Sequence, residues 1–139
     1  MVEIVYWSGT GNTEAMASVI EKAVKDEGKE VECVCFENTD ADSVAAHDVI
    51  IMGCPAMGAE VLEETVVQPF FDELKGKLFG KKVGLFGSYG WGTGEWMENW
   101  VAAVKEAGAV FIDPAVIVNG APEDITDCTA LGKAAAALA

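Results

Sequence analysis

At 139 residues, 51% of them hydrophobic, the chain has room for one domain with a buried core, taken as 1–139, and holds no apolar run long enough to span a membrane. Its net charge of −14 excludes nucleic acid and anionic membrane surfaces as partners, since both would repel it, and favours basic protein partners. Cys33, Cys35, Cys54 and Cys128 form no C-x-x-C pair and the chain has a single histidine, which argues against zinc.

The first β-prone run, Ile4 to Trp7, begins almost at Met1 with Glu3 inside the strand, leaving no place for a signal peptide; a cytoplasmic location is expected. Met16, Val19, Ile20, Ala23 and Val24 then recur at helical spacing up to Glu27 and Gly28. Between strand and helix lies Ser8, Gly9, Thr10, Gly11, Asn12, Thr13. Backbone N–H groups and the positive end of the helix dipole converge at such a turn, its glycines admit a ligand close to the main chain, and four polar side chains add donors. It is an anion cradle. It carries no Lys or Arg, and the position a P-loop gives to its cation is filled by Asn12 or Thr13, so a nucleoside triphosphate does not fit. Glu14 stands sixth from Gly9, where the dinucleotide fingerprint needs glycine. A single terminal phosphate held by neutral donors fits better.

Glu30 to Phe36 alternates as a second, edge strand; Cys33 and Cys35 share one of its faces but stand too far apart for an unstrained bridge, so free buried thiols in a reducing compartment are expected. A short helix around Asp42 to Ala46, capped by Asp40 or Asp42, precedes the apolar run Val49 to Met52, a central strand buried on both faces. The next helix carries Val66, Val67, Phe70, Phe71, Leu74 and Leu78, with Pro69 near its first turn. Val83 to Phe86 forms a fourth strand, where Gly84 and Gly87 imply that something large packs closely. Gly94 to Ala107 is a helix with Thr93 as cap and Met97, Trp100, Val101 and Val104 facing inward. Ala109 to Ile112 and Ala115 to Val118 read as a fifth strand broken at Asp113 and Pro114, and Asp124 to Leu138 as a closing helix.

Strand and helix alternate throughout, which implies an α/β fold with a parallel sheet, right-handed crossovers and helices on both faces. Ligands of such sheets bind outside the carboxyl ends of the strands, where strand order reverses. Three loops leave those ends. Besides the anion turn there are Cys54, Pro55, Ala56, Met57, Gly58, Ala59, Glu60 and then Ser88, Tyr89, Gly90, Trp91, Gly92, Thr93. A planar ring slotted between Trp91 and Met57 would gain stacking and thioether contacts of roughly 1 kcal/mol each beyond area burial.

The segments YWSGTGNTE from Tyr6 to Glu14, GCPAMG from Gly53 to Gly58 and GSYGWG from Gly87 to Gly92 stand in the order found in short-chain flavodoxins, which the whole chain resembles. The resemblance implies a flavodoxin-like doubly wound sheet of five parallel strands in the order 2-1-3-4-5, and a monomeric carrier of flavin mononucleotide (FMN). By the same resemblance, Ser8, Thr10, Asn12, Thr13 and nearby main-chain N–H groups would hold the phosphate. Trp91 and Met57 would cover the two ring faces, Glu60 would accept from flavin N3–H, and main-chain groups from Tyr89 to Gly92 would meet the pyrimidine end. Rotation of the peptide after Gly58 would let its carbonyl meet N5–H and stabilise the neutral semiquinone. Glu60 and the acidic surface would oppose a second negative charge near the ring, so that single electrons move at low potential between semiquinone and hydroquinone. Pro55 stands where relatives often place a hydroxyl, and Ala59 where they often place a residue better suited to positive φ. Glu60, Glu63, Glu64, Glu95 and Glu123 would form an acidic docking ring for redox enzymes with basic faces. The alternative is an FMN-dependent NAD(P)H:quinone oxidoreductase on the same fold, against which stand the short chain and the lack of a basic residue for a nicotinamide phosphate. A phosphorylated receiver domain is excluded, since Ser8, Gly9, Gly53 and Cys54 stand where it needs acids.

Overall fold

The computed structural model describes residues 1–9, 11–58, 60–90 and 92–139. Strands β1 (Val2–Tyr6), β2 (Val31–Cys35), β3 (Val49–Gly53), β4 (Lys82–Tyr89), β5 (Val110–Phe111) and β6 (Val116–Asn119) alternate with helices α1 (Asn12–Asp26), α2 (Ala41–Ala45), α3 (Val67–Leu74), α4 (Glu95–Glu106) and α5 (Thr126–Leu138). The strands are parallel in the order β2-β1-β3-β4-β5, with β6 also paired to β4. The expected order is therefore found, and the broken fifth strand is two short strands on one neighbour. Pro114, between them, has no N–H to give the ladder.

The period-2 alternation of the strands feeds two cores. Ile50, Met52, Val83 and Leu85 pack on one face with Phe71, Leu74, Trp96, Trp100 and Val104 of α3 and α4. Val2, Ile4, Val49 and Ile51 pack on the other with Met16, Ile20 and Val24 of α1 and Leu131 and Ala135 of α5. Each such side chain, fully buried, contributes roughly 1.5–3 kcal/mol over leaving it in water. β3 is buried along its whole length, as its unbroken apolar run requires. No helix of the described residues is long and apolar enough to cross a membrane.

Several local expectations change. β4 runs to Tyr89 because Phe86, Gly87, Ser88 and Tyr89 pair with Val116, Ile117, Val118 and Asn119, so two residues read as loop are strand. α3 stops at Leu74 and tightens into a 3-10 turn over Lys75–Lys77 around Gly76, a poor helix former, rather than continuing to Leu78. The inward stripe of α4 includes Trp96, while Val101 is only half-buried. Cys54 and Cys128 are buried free thiols as expected, but Cys33 and Cys35 are half-exposed, because edge strand β2 is covered less fully. Asp40, one of the two expected caps, does cap α2, its carboxylate accepting the Ser43 N–H at 2.8 Å. The close packing read from the glycines is real: a Cβ on Gly84 would lie 3.0 Å from Leu131, and one on Gly87 would lie 2.1 Å from the Cys54 carbonyl oxygen.

Candidate functional site

β1, β3 and β4 lie side by side, so the loops that follow them meet at one edge of the sheet, and register fixes how. Trp7 N–H donates to Gly53 O at 3.0 Å, Cys54 N–H to Phe86 O at 3.1 Å and Ala56 N–H to Ser88 O at 3.0 Å. Each bond carries the ladder one step past the strands and ties one loop to the next. Between them opens a cleft of about 240 Å³ lined by Trp7, Gly9, Asn12, Pro55, Ala56, Met57, Ser88, Tyr89, Gly90 and Gly120. Ligand sites commonly span roughly 300–1,000 Å³, so a nucleotide-sized ligand would seat one part here and leave another at the surface.

At the floor of the first loop, Gly11 occupies the N-cap of α1 with φ +92, a left-handed conformation that favours glycine, and its N–H donates to Ser8 Oγ at 3.0 Å. The side chain of Gly11's neighbour Asn12 faces the cleft. Thr13 is buried, and its Oγ1 lies 3.1 Å from Ser88 Oγ on β4. Thr10 lies outside the described residues.

The second loop is closed by a bridge in which Met57 N–H donates to Val61 O at 3.0 Å and Val61 N–H to Met57 O at 3.1 Å. Gly58, exposed and at φ +47, sits at its tip, with nothing within 4 Å of where a Cβ would stand. Ala59 lies outside the described residues.

Glu60, at φ +56, reaches across to the third loop: its carboxylate accepts the N–H of Thr93 at 2.6 Å and of Trp96 at 3.3 Å. It thereby supplies from another loop the cap that the sequence suggested Thr93 would give, while the local N-cap of α4 is Gly94. Partial burial would raise its pKa, but the N–H bonds from Thr93 and Trp96, with Glu95 and Gly94, outweigh that and hold it below the usual carboxylate value. Gly92 leaves the space this clasp needs, since a Cβ there would stand 1.8 Å from Glu60 Oε1. Tyr89 tilts against Trp96 with ring centroids 5.8 Å apart, and Trp96 Nε1–H donates to Cys54 O at 3.1 Å, so α4 also braces the second loop. Trp91 lies outside the described residues.

Trp7 and Gly120 were not among the expected site residues. Gly120 follows β6 and donates its N–H to Tyr89 O at 2.9 Å, which brings a fourth loop to the cleft. The rule that ligands sit beyond strand carboxyl ends applies to that loop as well and would have found it. One residue of the expected docking ring does not belong there. Glu63 is buried, and its carboxylate accepts the N–H groups of Thr65, Val66 and Val67 at 2.7–3.0 Å, together with the Thr65 hydroxyl, so it caps α3. Glu64, Glu95 and Glu123 are exposed.

A family model described as flavodoxin matches residues 4–132. The chain belongs to the flavodoxin family. It is 62% identical to the flavodoxin of Megasphaera elsdenii, covering 98% of each chain, and 44% identical to that of Clostridium beijerinckii, covering 95% of this chain and 96% of the other. The solution structure of two-electron reduced Megasphaera elsdenii flavodoxin superposes with a TM-score of 0.93 at 60% identity over 99% of both chains. The chain is accordingly an FMN-binding electron-transfer protein of flavodoxin fold and not an enzyme, and the quinone oxidoreductase alternative is not favoured. The cleft fits that cofactor: neutral donors and a helix N-terminus at one end suit a phosphate, and Met57 and Tyr89 beside glycine-rich main chain suit a flat ring at the other.

Proposed function

We propose that the chain holds FMN across the cleft and passes electrons one at a time, at low potential, to enzymes that present basic faces. The reading is carried by one observation, the convergence of the loops after β1, β3 and β4 on a cleft whose polar end has only neutral donors. Ser8, Asn12, Thr13 and Thr10, with the first-turn N–H groups of α1, bind the phosphate; Gly9 and Gly11 let it approach. Pro55 and Ala56 wall the middle, with Trp7 and Gly120 beside them. Met57 and Trp91 would exclude water from the ring faces, Tyr89, Gly90 and Gly92 would shape the far wall, Ser88 would lie behind Thr13 at the phosphate end, and Glu60 would accept from N3–H with lone pairs left over from its two N–H bonds. The Gly58 carbonyl, at the tip of the loop pinned between Met57 and Val61, would accept from a proton at flavin N5.

FMN supplies the one-electron chemistry, and the protein sets its electrostatics. A carboxylate held ionised at Glu60 and a surface of net −14 oppose a second negative charge at the site, which lowers the potential of the second step. Spectroelectrochemical titration of the FMN-loaded protein should therefore show two separated one-electron steps, the second at the lower potential. A single two-electron step with fast turnover on NADPH would overturn the reading.

Exposed Glu64, Glu95 and Glu123 serve docking, and the chain works as a monomer in the cytoplasm. Changing these three to Gln should slow electron transfer to a basic acceptor and flatten its dependence on salt, whereas unchanged rates would sink the docking role.

A further inference from the structure

We infer that Ser88 is a positioning residue for phosphate binding, acting through Thr13. The inference rests on the reading above that the N-terminus of α1 receives the phosphate. Thr13 stands in the first turn of α1 and Ser88 near the end of β4, 75 residues apart, yet their hydroxyl oxygens are 3.1 Å apart and both residues are at least 95% buried, at 1% and 4% exposure. Ser88 also accepts the Ala56 N–H at 3.0 Å through its own carbonyl, so one residue of β4 bonds to both the first turn of α1 and the second loop.

Either hydroxyl of the isolated pair can donate to the other, and the two proton orders are close in energy. An anion at the helix N-terminus breaks that balance. The Thr13 O–H then turns outward to it in a charge-assisted bond, and the Ser88 O–H donates to a lone pair of the Thr13 oxygen. Ser88 therefore keeps the Thr13 oxygen satisfied in both states and fixes its rotamer against β4. Without Ser88 Oγ, the Thr13 oxygen has no donor when its own proton turns to the ligand, and its rotamer is no longer fixed against β4.

The test is equilibrium binding of FMN and of riboflavin, which lacks the phosphate, to the apoproteins by quenching of flavin fluorescence. Ser88→Ala should weaken FMN roughly 3- to 10-fold, the scale of a lost neutral hydrogen bond, and leave riboflavin within about twofold. Thr13→Val should weaken FMN by more, roughly 10- to 100-fold, again sparing riboflavin, and the double variant should bind FMN no more weakly than Thr13→Val alone, because the two residues act as one unit. Ser88→Thr, which keeps a hydroxyl, should recover most of the FMN affinity. Equal losses for FMN and riboflavin in Ser88→Ala, or losses that multiply in the double variant, would overturn the inference. If Thr13→Val loses FMN selectively and Ser88→Ala does not, Ser88 alone is misassigned; if Thr13→Val leaves the preference for FMN over riboflavin intact, the phosphate placement itself is wrong. Should Ser88→Ala unfold in a urea titration, Ser88→Cys gives the same comparison with a weak donor in nearly the same volume.

Discussion

Gly92 is the residue on which the clasp between the second and third loops depends. Its φ of +94 suits glycine, and a Cβ would stand 1.8 Å from the Glu60 oxygen that accepts the Thr93 N–H. Gly92→Ala would therefore both strain the backbone and push Glu60 off the N-terminus of α4. Strain of that kind costs on the order of 1–3 kcal/mol, so FMN affinity should fall roughly tenfold or more, measured by fluorescence quenching on the apoprotein. The same variant should raise the pKa of Glu60 toward its ordinary value, because the N–H bonds that hold it down are lost.

Two elements show how packing and capping override local propensity. Helices α1 and α5 cross closely at Gly132, where a Cβ would lie 2.6 Å from Ala23 Cβ and 2.7 Å from the Ile20 carbonyl oxygen. Alanine is the better helix former by about 1 kcal/mol, but overpacking against another helix's backbone costs roughly 1–3 kcal/mol. Gly132→Ala should thus lower the urea midpoint despite its propensity. At α3 the cap is Glu63: burial raises its pKa, but bonds from the Thr65 hydroxyl and from the N–H groups of Thr65, Val67 and Val66 prevail and hold it low. Its folded value lies below its unfolded one, so its stabilisation is present above the unfolded pKa and is lost as pH falls through the folded one. Glu63→Ala should cost roughly 2 kcal/mol at neutral pH in urea unfolding, and less in acid.

At the scale of the whole molecule, which carries a net charge of −14, the buried acid of β1 shapes the pH dependence near neutrality. Glu3 on β1 is 1% exposed; burial first, then a hydrogen bond with Glu32 and repulsion from it across the parallel register, push its pKa to about 8. His47 Nε2 lies 3.2 Å from its Oε2. The folded chain keeps this proton above the ordinary value of 4.5, where the unfolded chain has lost it, so stability falls as pH rises from 4.5 to about 8. One such proton contributes a slope of about 1.4 kcal/mol per pH unit at most. Glu3→Gln should flatten urea stability against pH across that window. Because His47 Nε2 lies against the same carboxyl, the comparison is made in a His47→Asn background.

What the sequence by itself determined is local chemistry and periodicity. The glycine- and hydroxyl-rich turn from Ser8 to Thr13, without a cation, marked a phosphate cradle because those residue types suffice for one, and Val49 to Met52 announced a central strand because only a doubly covered strand is apolar throughout. The loop after Gly53 was legible for the same reason, as a short motif beyond a strand end, whereas Ser88 and Tyr89 of the third motif are strand because β6 pairs with them. Tertiary structure alone decided which groups meet. Glu60 caps a helix that begins 35 positions later in the chain, Thr13 finds Ser88 at a separation of 75, and Glu63 turns from a surface acid into a buried cap. These pairings depend on the register of β4 with β3 and β6, which places distant residues within hydrogen-bond reach. Register follows from packing the two cores together, so no local stretch of sequence encodes it.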